Sequence, residues 1–137
     1  MIYLHSSALV KLAVRERESA ELTHWLAERE GQPLISSVLL RAEVPRAVWR
    51  AEPGALPRCY QLIRRIARVA LTADVLDTSA TLTPPSLGSA RAIHLASALA
   101  VGPELTAFVG YDEELLSAAA EAGLPVASPG QKAGGSV

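Results

Sequence analysis

The stretch Met1-Ile2-Tyr3-Leu4-His5-Ser6-Ser7-Ala8-Leu9-Val10-Lys11-Leu12 decides how this chain is read. Its first four residues form a short apolar run of strand type, and Ser6 or Ser7 is then placed to cap a helix through Val14. A strand that runs directly into a helix is the start of a strand-helix-strand unit, and the pattern returns along the chain. Leu34-Ile35-Ser36 is a second short strand, followed by a helix that Ser37 caps and that reaches Arg50, with Leu40, Val44, Ala47 and Val48 inward. Ala107-Phe108-Val109-Gly110-Tyr111 is the strongest strand signal, Asp112 opens the helix after it and Gly123 ends that helix. Val69-Ala70-Leu71 and Val126-Ala127 read as two more strands. These strands are apolar throughout instead of at every second residue, so both faces of the sheet must be covered. The expected fold is a three-layer α/β/α domain around a central, mainly parallel sheet of four to five short strands.

The remaining segments fill the outer layers. Leu22, Trp25 and Leu26 make an apolar stripe between Ser19 and Glu30. Residues 56 to 68 predict a single helix, with Leu62, Ile63 and Ile66 inward and Arg58, Arg65 and Arg68 on a common outer face. Thr72 starts a helix to about Leu82, and Ser89 to Val101 carries the small-residue stripe Ile93, Ala96, Leu99 and Ala100, which permits close packing. Pro45 removes one backbone donor inside its helix. The end of the chain is rich in Gly and Ser, so the domain is expected over residues 1–130 and a flexible tail over 131–137.

Composition narrows the function. The 137 residues are 50% hydrophobic with a formal net charge of -1, which suits one domain with a sizeable core. A charge so near zero supplies no bulk attraction to nucleic acid or membrane, so any RNA contact must come from a local patch. Cys59 stands alone, which excludes an intramolecular disulfide framework or a cysteine-cluster metal site and fits a reducing compartment. No apolar run approaches the roughly 18 residues of a membrane span. A cytoplasmic protein without membrane contact is expected. The fourteen acids comprise eleven Glu and three Asp, namely Asp74, Asp77 and Asp112.

In parallel α/β sheets the ligand site lies beyond the carboxyl ends of the strands, which selects His5 after the first strand and Asp112 after the fourth. Asp112 also suits an N-cap. Glu43 lies in a helix beside apolar Ala42 and Val44, and Arg91 and His94 stand one turn apart on another. There is no Gly-rich phosphate loop, no zinc spacing and no Ser-His-Asp arrangement. Oxygen ligands converging at the mouth of the sheet could hold Mg2+ or Mn2+.

Four ordered motifs carry a resemblance over nearly the whole chain: the opening stretch, Ser36-Ser37-Val38-Leu39-Leu40-Arg41-Ala42-Glu43-Val44, Ala92-Ile93-His94-Leu95-Ala96-Ser97-Ala98-Leu99, and Phe108-Val109-Gly110-Tyr111-Asp112-Glu113-Glu114-Leu115-Leu116. With them the chain resembles the PIN-domain ribonuclease toxins of VapC type, the toxin partners of VapBC toxin-antitoxin pairs. The resemblance implies a cluster of four carboxylates that holds Mg2+ or Mn2+ for RNA phosphodiester cleavage, a homodimer, and a cognate VapB-type antitoxin. Glu43 and Asp112 match two of the four acids. His5 stands where the first Asp is expected and Arg91 where the third is. Gly88, Ala90 and Gly110 also depart from the family pattern.

Those two replacements change the electrostatics of the site. Four carboxylates would set -4 against a cation, whereas Glu43, Asp112, neutral His5 and Arg91 together leave -1. Arg91 has no lone pair to coordinate with and is a natural bidentate partner for a carboxylate. The reading is therefore a VapC-type toxin component whose metal-dependent cleavage is impaired by His5 and Arg91. Two alternatives stay open: an active ribonuclease with a His5/Glu43/Asp112 Mn2+ site and Arg91 on the scissile phosphate, and a non-catalytic antitoxin-binding module. If RNA is bound, Arg58, Arg65 and Arg68 are its candidate track.

Overall fold

The computed structural model describes residues 1–131; the expected flexible tail, apart from Gln131, lies outside the described residues. Five strands form one sheet: β1 (Ile2–Leu4), β2 (Leu34–Ser37), β3 (Ala67–Val69), β4 (Ala107–Val109) and β5 (Val126–Ala127). Their order is β3-β2-β1-β4-β5 and every pairing is parallel, so β1 is the central strand. The expected α/β/α architecture and parallel sheet are thus present.

Side chains of the central strands alternate between two cores, as the period of two requires. Ile2, Leu4 and Val109 face one layer, where they meet Leu9 of α1 (Ser6–Ala13), Leu22 of α2 (Ser19–Ala27), Val44 and Val48 of α3 (Leu40–Ala51) and Cys59 of α4 (Leu56–Ile63). Tyr3 and Phe108 face the other, stacked with ring centroids 5.1 Å apart. There they meet Leu95 of α6 (Ser89–Val101) and Leu115 of α7 (Glu113–Glu121), with α5 (Ala73–Ala80) packed on α6. Burial of strands on both faces explains why they read as continuous apolar runs.

Several local expectations are corrected. The helix begins at Ser6, and its cap is His5, whose Nδ1 accepts from the Ser7 N–H at 3.3 Å. Ser37 ends β2 and its hydroxyl accepts from the Leu39 N–H, so α3 starts two residues later than a Ser37 cap would place it. The helix expected over residues 56–68 stops at Ile63. Residues 67–69 are instead an edge strand, two residues earlier than the expected strand, because β2 offers an unpaired edge: Ile35 pairs with Ala67, Ser37 with Val69, and the Val38 N–H donates to Val69 at 3.0 Å. Sheet pairing here overrides helical periodicity. Arg58 on α4, Arg65 in the turn and Arg68 on β3 therefore share no helix face.

The carboxyl end of the described chain is tied to the fold. Tyr111 donates its hydroxyl to the Pro129 carbonyl at 2.7 Å, and Gly130, at φ +91°, sits where a Cβ would come within 2.9 Å of Glu18.

Candidate active site

The carboxyl ends of β1 and β4 adjoin, and the first turns of α3, α6 and α7 converge on them. His5 follows β1 with its N–H donating to Val109 at 2.8 Å, so its position is fixed by the sheet itself. Asp112 caps α7, accepting from the Leu115 N–H at 3.2 Å through Oδ1. The cap role read from the sequence holds. The same carboxylate accepts from Arg91 Nε at 2.7 Å through Oδ2.

Glu43 belongs to a second knot. Its Oε1 accepts from the Ser6 hydroxyl at 2.7 Å and pairs with His94 Nε2 at 2.6 Å. His94 is wholly buried, and its Nδ1 lies 2.8 Å from the Tyr3 hydroxyl. Glu43 as a carboxylate can only accept, so Nε2 carries the imidazole proton and Nδ1 accepts from Tyr3. Burial pushes the Tyr3 hydroxyl pKa upward, which keeps it a donor. The chain Tyr3, His94, Glu43, Ser6 satisfies every buried polar atom in it. His94 is thus a packed, hydrogen-bonded residue of α6.

His5 stands between the two pairs, 4.6 Å from the His94 ring centroid to centroid, with Nδ1 against the Ser7 hydroxyl at 2.8 Å. Burial, then the neighbouring His94, lower its pKa to about 4, so it is neutral near pH 7. Burial raises the Glu43 pKa, but the hydrogen bonds from His94 and Ser6 outweigh it and hold the carboxyl below its ordinary value. Asp112 follows the same balance: burial raises it, while Arg91 and the Leu115 N–H bring it below its ordinary value. Gly110 fits closely here, since a Cβ would stand 3.0 Å from His5 Cβ and 3.3 Å from Ser7 Oγ.

Thus the four positions singled out in the sequence, His5, Glu43, Arg91 and Asp112, gather at one end of the sheet, while Arg58, Arg65 and Arg68 do not join them. Tyr3 and Ser6 were missed as site neighbours. The signal for Ser6 was its place beside His5 at a strand end; Tyr3 gave none, being indistinguishable from core.

A divalent cation, implied by the family resemblance, can be tested against these donors. Both Asp112 oxygens are engaged, one by a guanidinium, and Glu43 Oε1 serves two hydrogen-bond donors. Among the described residues no three His, Cys, Asp or Glu side chains are arranged to hold a metal. Mg2+ prefers oxygen ligands, and here the site offers a neutral imidazole and a fixed positive charge. The donor set does not fit such a cation.

A five-stranded parallel sheet between two helical layers, with a polar cluster at its carboxyl end, defines a PIN-type domain. Solved structures share that fold: VapC20 of Mycobacterium tuberculosis, described as a Sarcin-Ricin loop cleaving toxin, has a TM-score of 0.73 at 13% identity, covering 90% of this chain and 96% of that one. A toxin-antitoxin complex from Klebsiella pneumoniae has a TM-score of 0.69 at 18% identity, covering 94% and 98%. No protein-family model matches the chain. Ribonuclease VapC47 of Mycobacterium tuberculosis is 43% identical over 133 residues, 95% of this chain and 98% of that protein. The chain belongs to the VapC ribonuclease family, the toxin side of toxin-antitoxin pairs.

Proposed function

We propose that the protein is a VapC-type toxin component that keeps the fold and antitoxin-binding role of its family while its metal-dependent RNA cleavage is impaired. The observation that carries this reading is the Arg91 Nε contact to Asp112 Oδ2 at 2.7 Å. A guanidinium seated on a site carboxylate supplies the positive charge that a cation would otherwise supply, and it cannot polarise water or a phosphate as a Lewis acid does. His5, Glu43, Arg91 and Asp112 are the site in this reading, with Glu43, Asp112 and His5 all that is left of the Mg2+ or Mn2+ donors the family resemblance implies, a set that does not fit the ion.

The partner is a VapB-type antitoxin, in a homodimeric complex in the cytoplasm. Support comes from the fold shared with the Klebsiella toxin-antitoxin complex. A cleft of about 670 Å³ beside α1 and α2, bordered by Arg58, is roomy enough for part of such a segment. No described helix is long and apolar enough to cross a membrane.

The test is RNA turnover with Mg2+ and with Mn2+ by protein freed of other nucleases, alongside co-purification with the neighbouring gene's product. The expected result is a stable complex and no cleavage above that of the Glu43→Ala variant. Robust cleavage that disappears in Glu43→Ala would overturn the impairment and restore the Mn2+-site alternative.

A further inference from the structure

The sequence offers Ser7 only as an alternative cap for α1, a place that His5 takes instead. Its hydroxyl nevertheless joins the ends of two strands. Oγ accepts from the Tyr111 N–H at 2.9 Å, just beyond β4, and lies 2.8 Å from Nδ1 of His5, just beyond β1. Gly110 permits that junction: a Cβ there would stand 3.3 Å from Ser7 Oγ and 3.0 Å from His5 Cβ, and would press the end of β4 away from the hydroxyl. Gly110, which departs from the family pattern, and His5, which stands where an aspartate is expected, are thus parts of one contact.

Two hydrogen bonds end on His5 Nδ1. The Ser7 backbone N–H donates to it at 3.3 Å, and that hydrogen leaves no room for a proton on Nδ1 itself. Nδ1 is therefore the bare nitrogen, and the Ser7 hydroxyl, whose oxygen already accepts from Tyr111, turns its own hydrogen toward it. With Nδ1 bare the imidazole is neutral, and its one proton sits on Nε2. Among the described residues nothing bonds Nε2, and no buried polar side-chain atom is left without a partner, so the Nε2–H reaches solvent.

An imidazole holds a metal through a nitrogen lone pair, and which nitrogen keeps its lone pair is set by what the other one bonds to. Here Ser7 takes the lone pair of one nitrogen, and the other presents a hydrogen. We infer that Ser7 is a positioning residue: it holds His5 as the Nε2–H tautomer, which makes the open nitrogen a hydrogen-bond donor and closes the site to ions that seek imidazole, Zn2+ above all. This rests on the reading of a site without its cation and gives it a second ground. Charge balance, set by Arg91, disfavours any cation, whereas the tautomer excludes those that an imidazole would otherwise hold.

The test is long-range proton-nitrogen NMR correlation of the metal-free full chain near neutral pH, the His5 signals being those that His5→Gln removes. The parent should show Nε2 protonated and Nδ1 bare; a proton on Nδ1, or the two tautomers in comparable amounts, would overturn the proposal. Ser7→Thr keeps the hydroxyl and should keep the pattern, whereas Ser7→Asp, which only accepts, should move the proton to Nδ1. Coordination through Nε2 costs the parent the two hydrogen bonds on Nδ1, about a thirtyfold penalty. Ser7→Asp should therefore bind Zn2+ at least about thirtyfold more tightly in calorimetry. Ser7→Asp with His5→Gln carries the same carboxylate without the imidazole and should lose that gain. Equal Zn2+ binding by the parent and Ser7→Asp, or a gain that persists without His5, would refute the role of Ser7. Should Ser7→Asp fail to fold, the tautomer of the parent decides alone. The two readings fail separately: RNA cleavage by the parent overturns the proposed function, and a proton on Nδ1 overturns the role of Ser7.

Discussion

Replacing His5 and Arg91 together by aspartate should create a divalent-cation site where none now fits. His5→Asp changes the local charge by one unit and Arg91→Asp by two, taking the cluster from -1 to -4 around Glu43 and Asp112. The second change also frees Asp112 Oδ2, now 2.7 Å from Arg91 Nε. At about 5 Å from a divalent ion, each unit of charge alters affinity by roughly tenfold even at the dielectric of water, so three units amount to about a thousandfold. Calorimetric titration with Mn2+ measures this directly. The metal-free variant should melt below the parent, because four carboxylates then repel one another and the Arg91 bridge is gone. Saturating Mn2+ should recover that loss by linkage, about 2.7 kcal/mol at a hundred times Kd. His5→Asp alone should gain no more than about tenfold, its single unit of charge, since Asp112 stays bound to Arg91. The reasoning is refuted if the parent binds Mn2+ as tightly as the double variant, or if the double variant binds none at millimolar concentration.

Other consequences follow from the same geometry. His94→Ala removes an acceptor from the buried Tyr3 hydroxyl and a donor from the Glu43 carboxylate, which should cost about 3–5 kcal/mol with the cavity included; a loss under about 1 kcal/mol in urea denaturation would show that the network relaxes. His5, Glu43 and Asp112 all have folded pKa values below their ordinary ones. The unfolded chain therefore binds more protons, and stability should fall as the pH drops. For His5 the fall runs from about 6.5 down to about 4 and flattens in His5→Gln; an NMR titration midpoint near 6.5 for the His5 imidazole would contradict it. Gly110→Ala sets a methyl 3.0 Å from His5 Cβ, whose backbone N–H is held by Val109. It should destabilise by about 1–2 kcal/mol, while Gly54→Ala, which meets nothing within 4 Å, should not; equal melting temperatures for the two variants would remove the steric argument.

The helical half of the chain shows where sequence reading worked and where it failed. The helix over Ser89–Val101 was legible because its small apolar stripe repeats at helical spacing and nothing competes for its backbone. Residues 64–68 failed because Ile63 and Ile66 look like the next turn of a helix, and only the open edge of β2 turns Ala67–Val69 into a strand. The trio Arg58, Arg65 and Arg68 fell with that helix.

The sequence by itself determined the family, the parallel sheet and the four residues that gather at its carboxyl end, because short apolar strands followed at once by caps and helices leave few ways to bury both sheet faces. It also placed His5 and Arg91 where the family resemblance implies aspartates. Only the tertiary structure decided what those two side chains touch. It brought Arg91 onto Asp112 across twenty-one residues and His94 onto Glu43 across fifty-one. The reason is physical: residue types and spacing fix what a side chain can bond to, but hydrogen bonds reach about 3 Å, and which groups come that close is set by how the layers pack.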